Sequence, residues 1–177
     1  MEKHNKKGLI IVLFIGIIIS VVYLIIIIFL TRFYSSKVLD DVSPQRYCSR
    51  DLIEKSDILF VIPLLGNESI ANNQTWCKEI LGFNKRIGMH GVYHAPDDIG
   101  EFSIDRDKEY FQIGMEEFRK CFGFYPILFK APELKLSQNN KVLLKDMNMT
   151  IYSVPQTIFH KEYQKSRKKS SFADNSL

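Results

Sequence analysis

The chain has 177 residues, 46% of them hydrophobic, with three cysteines and a formal net charge of +4. That length accommodates one domain and an appendage. The positive excess gathers in Lys161, Lys165, Arg167, Lys168 and Lys169, in no pattern that interleaves aromatics with bases, so no nucleic-acid partner is expected. Cys48, Cys77 and Cys121 form no Cys-x-x-Cys pair, which excludes a zinc ribbon and a dithiol redox motif. Two readings of the cysteines stay open: one disulfide in an oxidising compartment, or buried thiols.

Residues 8–30 carry no charge and are dominated by Ile, Leu, Val and Phe. At about 1.5 Å rise per residue such a run spans a hydrocarbon layer of roughly 30 Å as one helix. It is too long for the apolar part of a cleaved leader, no small-x-small cleavage site follows it, and it shows no polar face. The expectation is a single uncleaved membrane span. Lys3, Lys6 and Lys7 precede it and outnumber the sparser Arg32 and Lys37 after it, which puts residues 1–7 in the cytoplasm and the rest of the chain outside. Three Asn-x-Ser/Thr triplets, at Asn67, Asn73 and Asn148, fit an exported domain.

Residues 31–37 read as a polar linker. Val38-Leu39 then leads, as a strand, into Asp40-Asp41-Val42-Ser43-Pro44; turn and capping chemistry would account for this carboxylate pair taken alone. Residues 49–56 are weakly helical. Residues 57–65 are a near-continuous apolar run, as for a strand buried on both faces, with Pro63 marking its end. A polar loop over 67–73 precedes a helix over 74–81, which carries Trp76. Residues 86–89 form the next strand, with His90 and His94 on the turn that leaves it. A loop over 95–105 follows, then an amphipathic helix over 106–122 ended by Gly123. Residues 126–131 read as another buried strand. Ser137 caps a helix through Met147 that carries Val142, Leu143 and Leu144 on one side. Residues 149–154 are a last strand-like run, and from Pro155 periodicity is lost, with residues 165–177 reading as disordered.

Strands of the buried type alternate with helices about five times, the pattern of an α/β layer or barrel with a parallel sheet. In such folds chemistry gathers at the carboxyl ends of the strands. Asp40 and Asp41 leave one strand and His90 and His94 another, so both pairs belong on that one face. Two imidazoles held close together, with a carboxylate nearby, can grip a divalent ion. Asp97, Asp98 and Glu101 follow the histidines and either line the pocket or solvate the loop. Tyr93 and Trp76 either stack on a ligand ring or belong to the core.

Three pieces, Leu39-Asp40-Asp41, His90-Gly-Val-Tyr-His94 and Phe129-Lys-Ala-Pro-Glu133, resemble in order and strand context the polysaccharide deacetylase superfamily (the NodB-homology or carbohydrate esterase family 4 group), in a divergent branch. The resemblance covers residues 38–154. It implies a distorted (β/α) barrel of about seven units, of which five strands are found here, so an incomplete barrel is expected, as from a truncated or frame-shifted gene. It also implies a metal-dependent hydrolase of the amide bond in N-acetylated sugars or polysaccharide. Asp41, His90 and His94 match the family's metal ligands, zinc first, with cobalt or nickel as alternatives, and Asp40 matches its general base. Lys130 stands where the family has an arginine that orients the base. His160 is the one candidate for the family's late histidine acid, although it follows Lys130 early, and a plain loop histidine is the other reading. The organisation expected is a cytoplasmic start (1–7), a span (8–30), a linker (31–37), a deacetylase-like domain (38–160) and a basic tail (161–177). The alternative function is a catalytically inactive carbohydrate-binding remnant displayed on the membrane.

Overall fold

A computed structural model of the chain describes residues 2–34, 36–46, 48–94 and 100–152. The chain divides into two units, one ending at residue 35 and one beginning at Ser36. The first unit is helix α1 (Glu2–Tyr34). Within it Val12–Leu30 is long and apolar enough to cross a membrane, with a mean hydropathy of 3.3. The helix continues through Thr31 to Tyr34, where a polar linker is expected from the sequence. Nothing in those residues breaks a helix, since neither Gly nor Pro occurs before the second unit begins.

The second unit opens with β1 (Val38–Val42), α2 (Arg50–Lys55) and β2 (Ile58–Val61). A hairpin of β3 (Leu64–Leu65) and β4 (Glu68–Ser69) follows, then α3 (Gln74–Gly82) and β5 (Arg86–His90). The last part holds α4 (Lys108–Phe122), β6 (Leu128–Lys130), α5 (Gln138–Asp146) and β7 (Thr150–Tyr152). Side-chain caps start the helices where their residue types predict: Ser49, Asn73, Asp107 and Ser137 each accept a backbone N–H of the first turn. Gly123, in the left-handed conformation, ends α4.

β1, β2, β5, β6 and β7 form one sheet in that order, every pair parallel. Neighbours in the sheet are thus neighbours in chain order, each reached through a helix, apart from the hairpin between β2 and α3. This is the winding of a barrel wall. One face carries Leu39, Leu59, Val61, Ile87, Met89 and Phe129, which share a single apolar cluster with Ile53 of α2, Ile80 of α3, Phe111 and Phe118 of α4 and Leu144 of α5. The helices therefore cover that face.

The opposite face is concave. Val38, Ile58, Phe60 and Leu128 make a separate small cluster, with Tyr152 packed on it. Phe60 and Tyr152 stand three strands apart, about 14 Å in a flat sheet, yet their rings meet edge to face at 5.0 Å. The sheet has to curl for this contact to form. Gly88 permits it, because a Cβ there would lie 2.7 Å from Phe60 Cε1 and 2.8 Å from Leu128 Cβ. Among the described residues the outer edges of β1 and β7 are not paired with each other, so the barrel is not closed.

Several local expectations need correction. The apolar run of 57–65 is not one strand: it bends after Val61, and Leu64–Leu65 pair instead with Glu68–Ser69. Gly66 and Asn67, both at positive φ, make the tight turn that suits such a hairpin. The expected polar loop at 67–73 accordingly holds a strand and a turn of 3-10 helix, with Ile70 wholly buried. On α5, Leu144 is buried whereas Val142 is 51% exposed, because successive helical residues point about 100° apart and cannot share a side. Cys77 and Cys121 form a disulfide joining α3 to α4, which resolves the two readings of the cysteines for this pair.

Candidate metal centre

The site begins with an irregularity in β1. Two successive residues of a regular strand point to opposite faces, yet Asp40 and Asp41 both line one cleft of about 350 Å³. The register of β1 against β2 slips between Leu39 and Val42, and Asp41 has a φ of 60°. A bulge of this kind re-aims a side chain. Leu39 and Val42 keep their places in the helix-covered core, and the extra residue turns Asp41 inward beside Asp40.

β5 supplies the histidines by two different means. His90 is the last residue of the strand itself, not part of the turn that follows. Its Nδ1 lies 3.0 Å from the Lys130 carbonyl, which also accepts the Gly91 amide at 3.2 Å. A neutral His90 that donates from Nδ1 keeps its Nε2 lone pair for a metal. His94 sits four residues on in the loop, with a φ of 48°. Its Nδ1 is buried without a hydrogen-bond partner.

The two Nε2 atoms meet at Asp41, with Asp41 Oδ1 3.3 Å from His90 Nε2 and 2.9 Å from His94 Nε2. Arg46 holds the other oxygen, Nη1 to Oδ2, at 3.1 Å. Burial pushes the Asp41 carboxyl up, but hydrogen bonds and charge from His90 and His94 outweigh it and hold the group far below the usual carboxylate range. The hydrogen bond with Asp41 raises His94 above its ordinary value against the opposing effect of burial.

One ligand atom from each of Asp41, His90 and His94 falls within 4.8 Å of the others. Ligands bonded at about 2.1 Å to one ion stand roughly 3–4 Å apart, so the donor set fits a divalent metal with positions left open. Lys130 adds a buried ion pair, with Nζ 2.5 Å from Asp40 Oδ2. Asp40 Oδ1 is buried with no hydrogen-bond partner, an uncommon state for a carboxylate oxygen.

Backbone strain marks the same place. Among the described residues, seven other than glycine have positive φ; three are asparagines, which tolerate it readily, and the others are Asp41, His94, Glu133 and Leu134. All four of these line the cleft. Such strain persists where surrounding structure enforces it, and it clusters at functional sites.

The structure thus brings together Asp40, Asp41, His90, His94 and Lys130, drawn from β1, β5, the loop that follows β5, and β6. His160, Asp97 and Asp98 lie outside the described residues. Glu101 does not line the cleft, nor does it solvate the loop. It is 1% exposed and lies beneath the histidine loop, accepting its backbone amides. Trp76 packs on the core beside Phe122, and Tyr93 packs against Tyr110. Asn67, Asn73 and Asn148 are all exposed. Arg46 went unremarked in the sequence, although its place just after the Ser-Pro turn that leaves β1 was a usable signal.

No family model and no curated protein matches the chain. Solved structures do. A peptidoglycan N-acetylglucosamine deacetylase aligns with a TM-score of 0.50 and 13% identity, covering 67% of this chain and 56% of that one. A mutant, with restored enzymatic activity, of a carbohydrate esterase family 4 pseudoenzyme from Bacillus anthracis aligns with a TM-score of 0.51 and 18% identity, covering 67% and 44%. The unit from Ser36 onward has the polysaccharide deacetylase fold. A polysaccharide deacetylase from Bacillus cereus also aligns, at 14% identity and a TM-score of 0.49, covering 67% and 59%. The chain spans between 44% and 59% of the length of these three structures. At these identities the likeness extends to the fold. Among the described residues, the part of that fold present is the open, five-stranded wall described above.

Proposed function

We propose that this protein is a membrane-anchored, metal-dependent hydrolase that removes acetyl groups from N-acetylated sugars in a glycan or polysaccharide outside the cell. The observation that carries the reading is the convergence of Asp41, His90 and His94 beside a buried Asp40 whose Oδ1 has no hydrogen-bond partner. Asp41, His90 and His94 would hold the ion, zinc first by the nature of the ligands. When bound, such an ion acidifies a water and polarises a carbonyl.

The chain's own groups supply the rest. Asp40 Oδ1 can accept the proton of a water in the cleft, while Lys130 holds Oδ2 and so fixes the direction in which Oδ1 faces. Arg46 steadies the Asp41 carboxylate from its far side. The late acid assigned by resemblance to His160 remains part of this proposal. The apolar stretch Val12–Leu30 supports anchoring. The Cys77–Cys121 disulfide supports an oxidising, extracytoplasmic location, as does the excess of lysines before the span.

A second reading, a catalytically inactive carbohydrate-binding remnant, is favoured by Lys130, which offers Asp40 a point charge where an arginine would offer a planar fork. One of the matched structures is a mutant, with restored enzymatic activity, of a protein described as a pseudoenzyme, so substitutions separate the two readings on this fold. The test is metal content of the purified full chain in detergent, followed by acetate release from N-acetylglucosamine oligomers with and without a chelator. One divalent ion per chain and chelator-sensitive release support the hydrolase. A folded chain that takes up no divalent ion would sink it, and metal uptake without release would favour the remnant.

A further inference from the structure

We propose that Glu101 is a positioning residue for His94, holding that ligand in place through the loop backbone rather than through its side chain. The inference rests on the metal reading above. Burying a carboxylate is costly unless donors surround it, and Glu101, 1% exposed, has four. Oε1 accepts the amides of Val92 at 2.9 Å and Tyr93 at 2.8 Å, together with the Tyr110 hydroxyl at 2.8 Å. Oε2 accepts the amide of His94 itself at 3.0 Å. Three successive amides directed at one carboxylate make a concave anion nest.

Gly91 is what lets the carboxylate come this close. Its φ is +66°, and a Cβ there would lie 2.4 Å from Glu101 Oε2. Without Glu101 three amides of the loop would lose their acceptor, and the positive φ of His94 would lose what enforces it. The Leu64 amide bonds the Val92 carbonyl and Asp41 Oδ1 lies 2.9 Å from His94 Nε2, but neither meets the His94 amide; the His90 ring is oriented by a hydrogen bond to the Lys130 carbonyl, whereas His94 Nδ1 has no partner. The clamp is itself fastened. Arg106 Nε donates to the Glu101 carbonyl, and Asn140 bonds Phe102, Ile104 and Arg106 from α5. Tyr110 belongs to α4. A continuous set of hydrogen bonds therefore runs from two helices to the amide of His94.

The test compares the full chain in detergent with Glu101→Gln, Tyr110→Phe and Phe118→Ala. Zinc affinity is read by competition with a chromogenic chelator, and backbone protection by hydrogen exchange of peptides containing Val92, Tyr93 and His94. Glu101→Gln, which turns a donor toward those amides, is expected to weaken zinc binding about 10–100-fold and to speed exchange in the loop at least about tenfold. Phe118→Ala, destabilising but remote from the loop, is expected to leave zinc affinity unchanged. A folded Glu101→Gln that binds zinc like the unmodified chain, or keeps its loop protection, overturns the proposal. So does an equal loss of affinity in Phe118→Ala. If Glu101→Gln does not fold, Tyr110→Phe decides: a loss of about 2–10-fold, from one of the four donors, supports the clamp, and no loss overturns it. An unmodified chain that binds no zinc overturns the metal reading and the purpose assigned to Glu101, while the exchange data still report whether the carboxylate holds the loop.

Discussion

On the convex face of the sheet, Leu59, Val61, Ile87, Met89 and Phe129 meet the covering helices in one continuous apolar cluster. On the concave face, Val38, Ile58, Phe60 and Leu128 form a small, separate cluster. Beyond it, at the carboxyl ends of the strands, the lining turns polar: Asp40, Asp41, His90 and Lys130. The first arrangement stabilises the fold by the area it removes from water. The second contributes far less in that way and carries buried charge and backbone strain instead. Stability and chemistry are thus divided between the two sides of the same five strands, and substitutions on the two sides should have different consequences.

The largest effect is expected from Asp40→Asn on the concave side. Loss of the proposed base should slow acetate release about 10²–10⁴-fold per folded, metal-loaded chain, and the melting temperature should fall as well, because the buried Lys130 ammonium loses its partner; equal rates would remove Asp40 from the chemistry. On the convex side, Phe111→Ala should cost about 3–5 kcal/mol in denaturant unfolding while zinc per folded chain stays the same. If that variant loses its metal while still folded, the division between the faces fails. Replacing both Cys77 and Cys121 by serine should cost about 2–4 kcal/mol, again without loss of zinc from the folded chain. Gly88→Ala presses a methyl group against Phe60 and Leu128 and should cost about 1–3 kcal/mol. That cost is the concave cluster's own share of stability; no measurable change would mean the curl is looser than the Phe60–Tyr152 contact implies.

The pH dependence is the mildest effect. His94 binds its proton more tightly than an ordinary histidine because Asp41 accepts from it, despite the opposing effect of burial. In the metal-free chain this raised value stabilises the fold below the unfolded value of 6.5 and is lost as pH rises through the folded one. A metal ion held as proposed would have to displace that proton. Uptake should therefore weaken as pH falls, beginning above 6.5, by at most about tenfold per pH unit for each competing proton. Affinity measured between about pH 8 and pH 6 checks the sign.

The convex face was largely legible in the sequence because periodicity reports burial against helices: the five main strands and α4 followed from it, and Ser137 and Gly123 marked two helix ends. The hairpin was missed because Leu64 and Leu65 extend the apolar run of β2, and composition does not show a chain reversal inside such a run. At the cleft, residue types at strand ends pointed to Asp40, Asp41, His90 and His94, the family resemblance added Lys130, and the fold brings the five together. Their means of placement were not legible. Asp41 depends on a bulge, His90 on a carbonyl from another strand, and Glu101 on amides that any residues could have supplied. Backbone groups leave no mark in composition, and the role of Glu101 is played entirely through them.

The disulfide has a topological consequence for the same site. Cys77 and Cys121 close a covalent ring whose ends are 44 residues apart, and His90, His94 and Glu101 all lie inside it. Asp40, Asp41 and Lys130 lie outside. A protease that cuts once between Lys78 and Lys120 would leave two fragments that still travel as one molecule, the carboxylates and lysine held within reach of the histidines. Only reduction would then let the halves of the site diffuse apart.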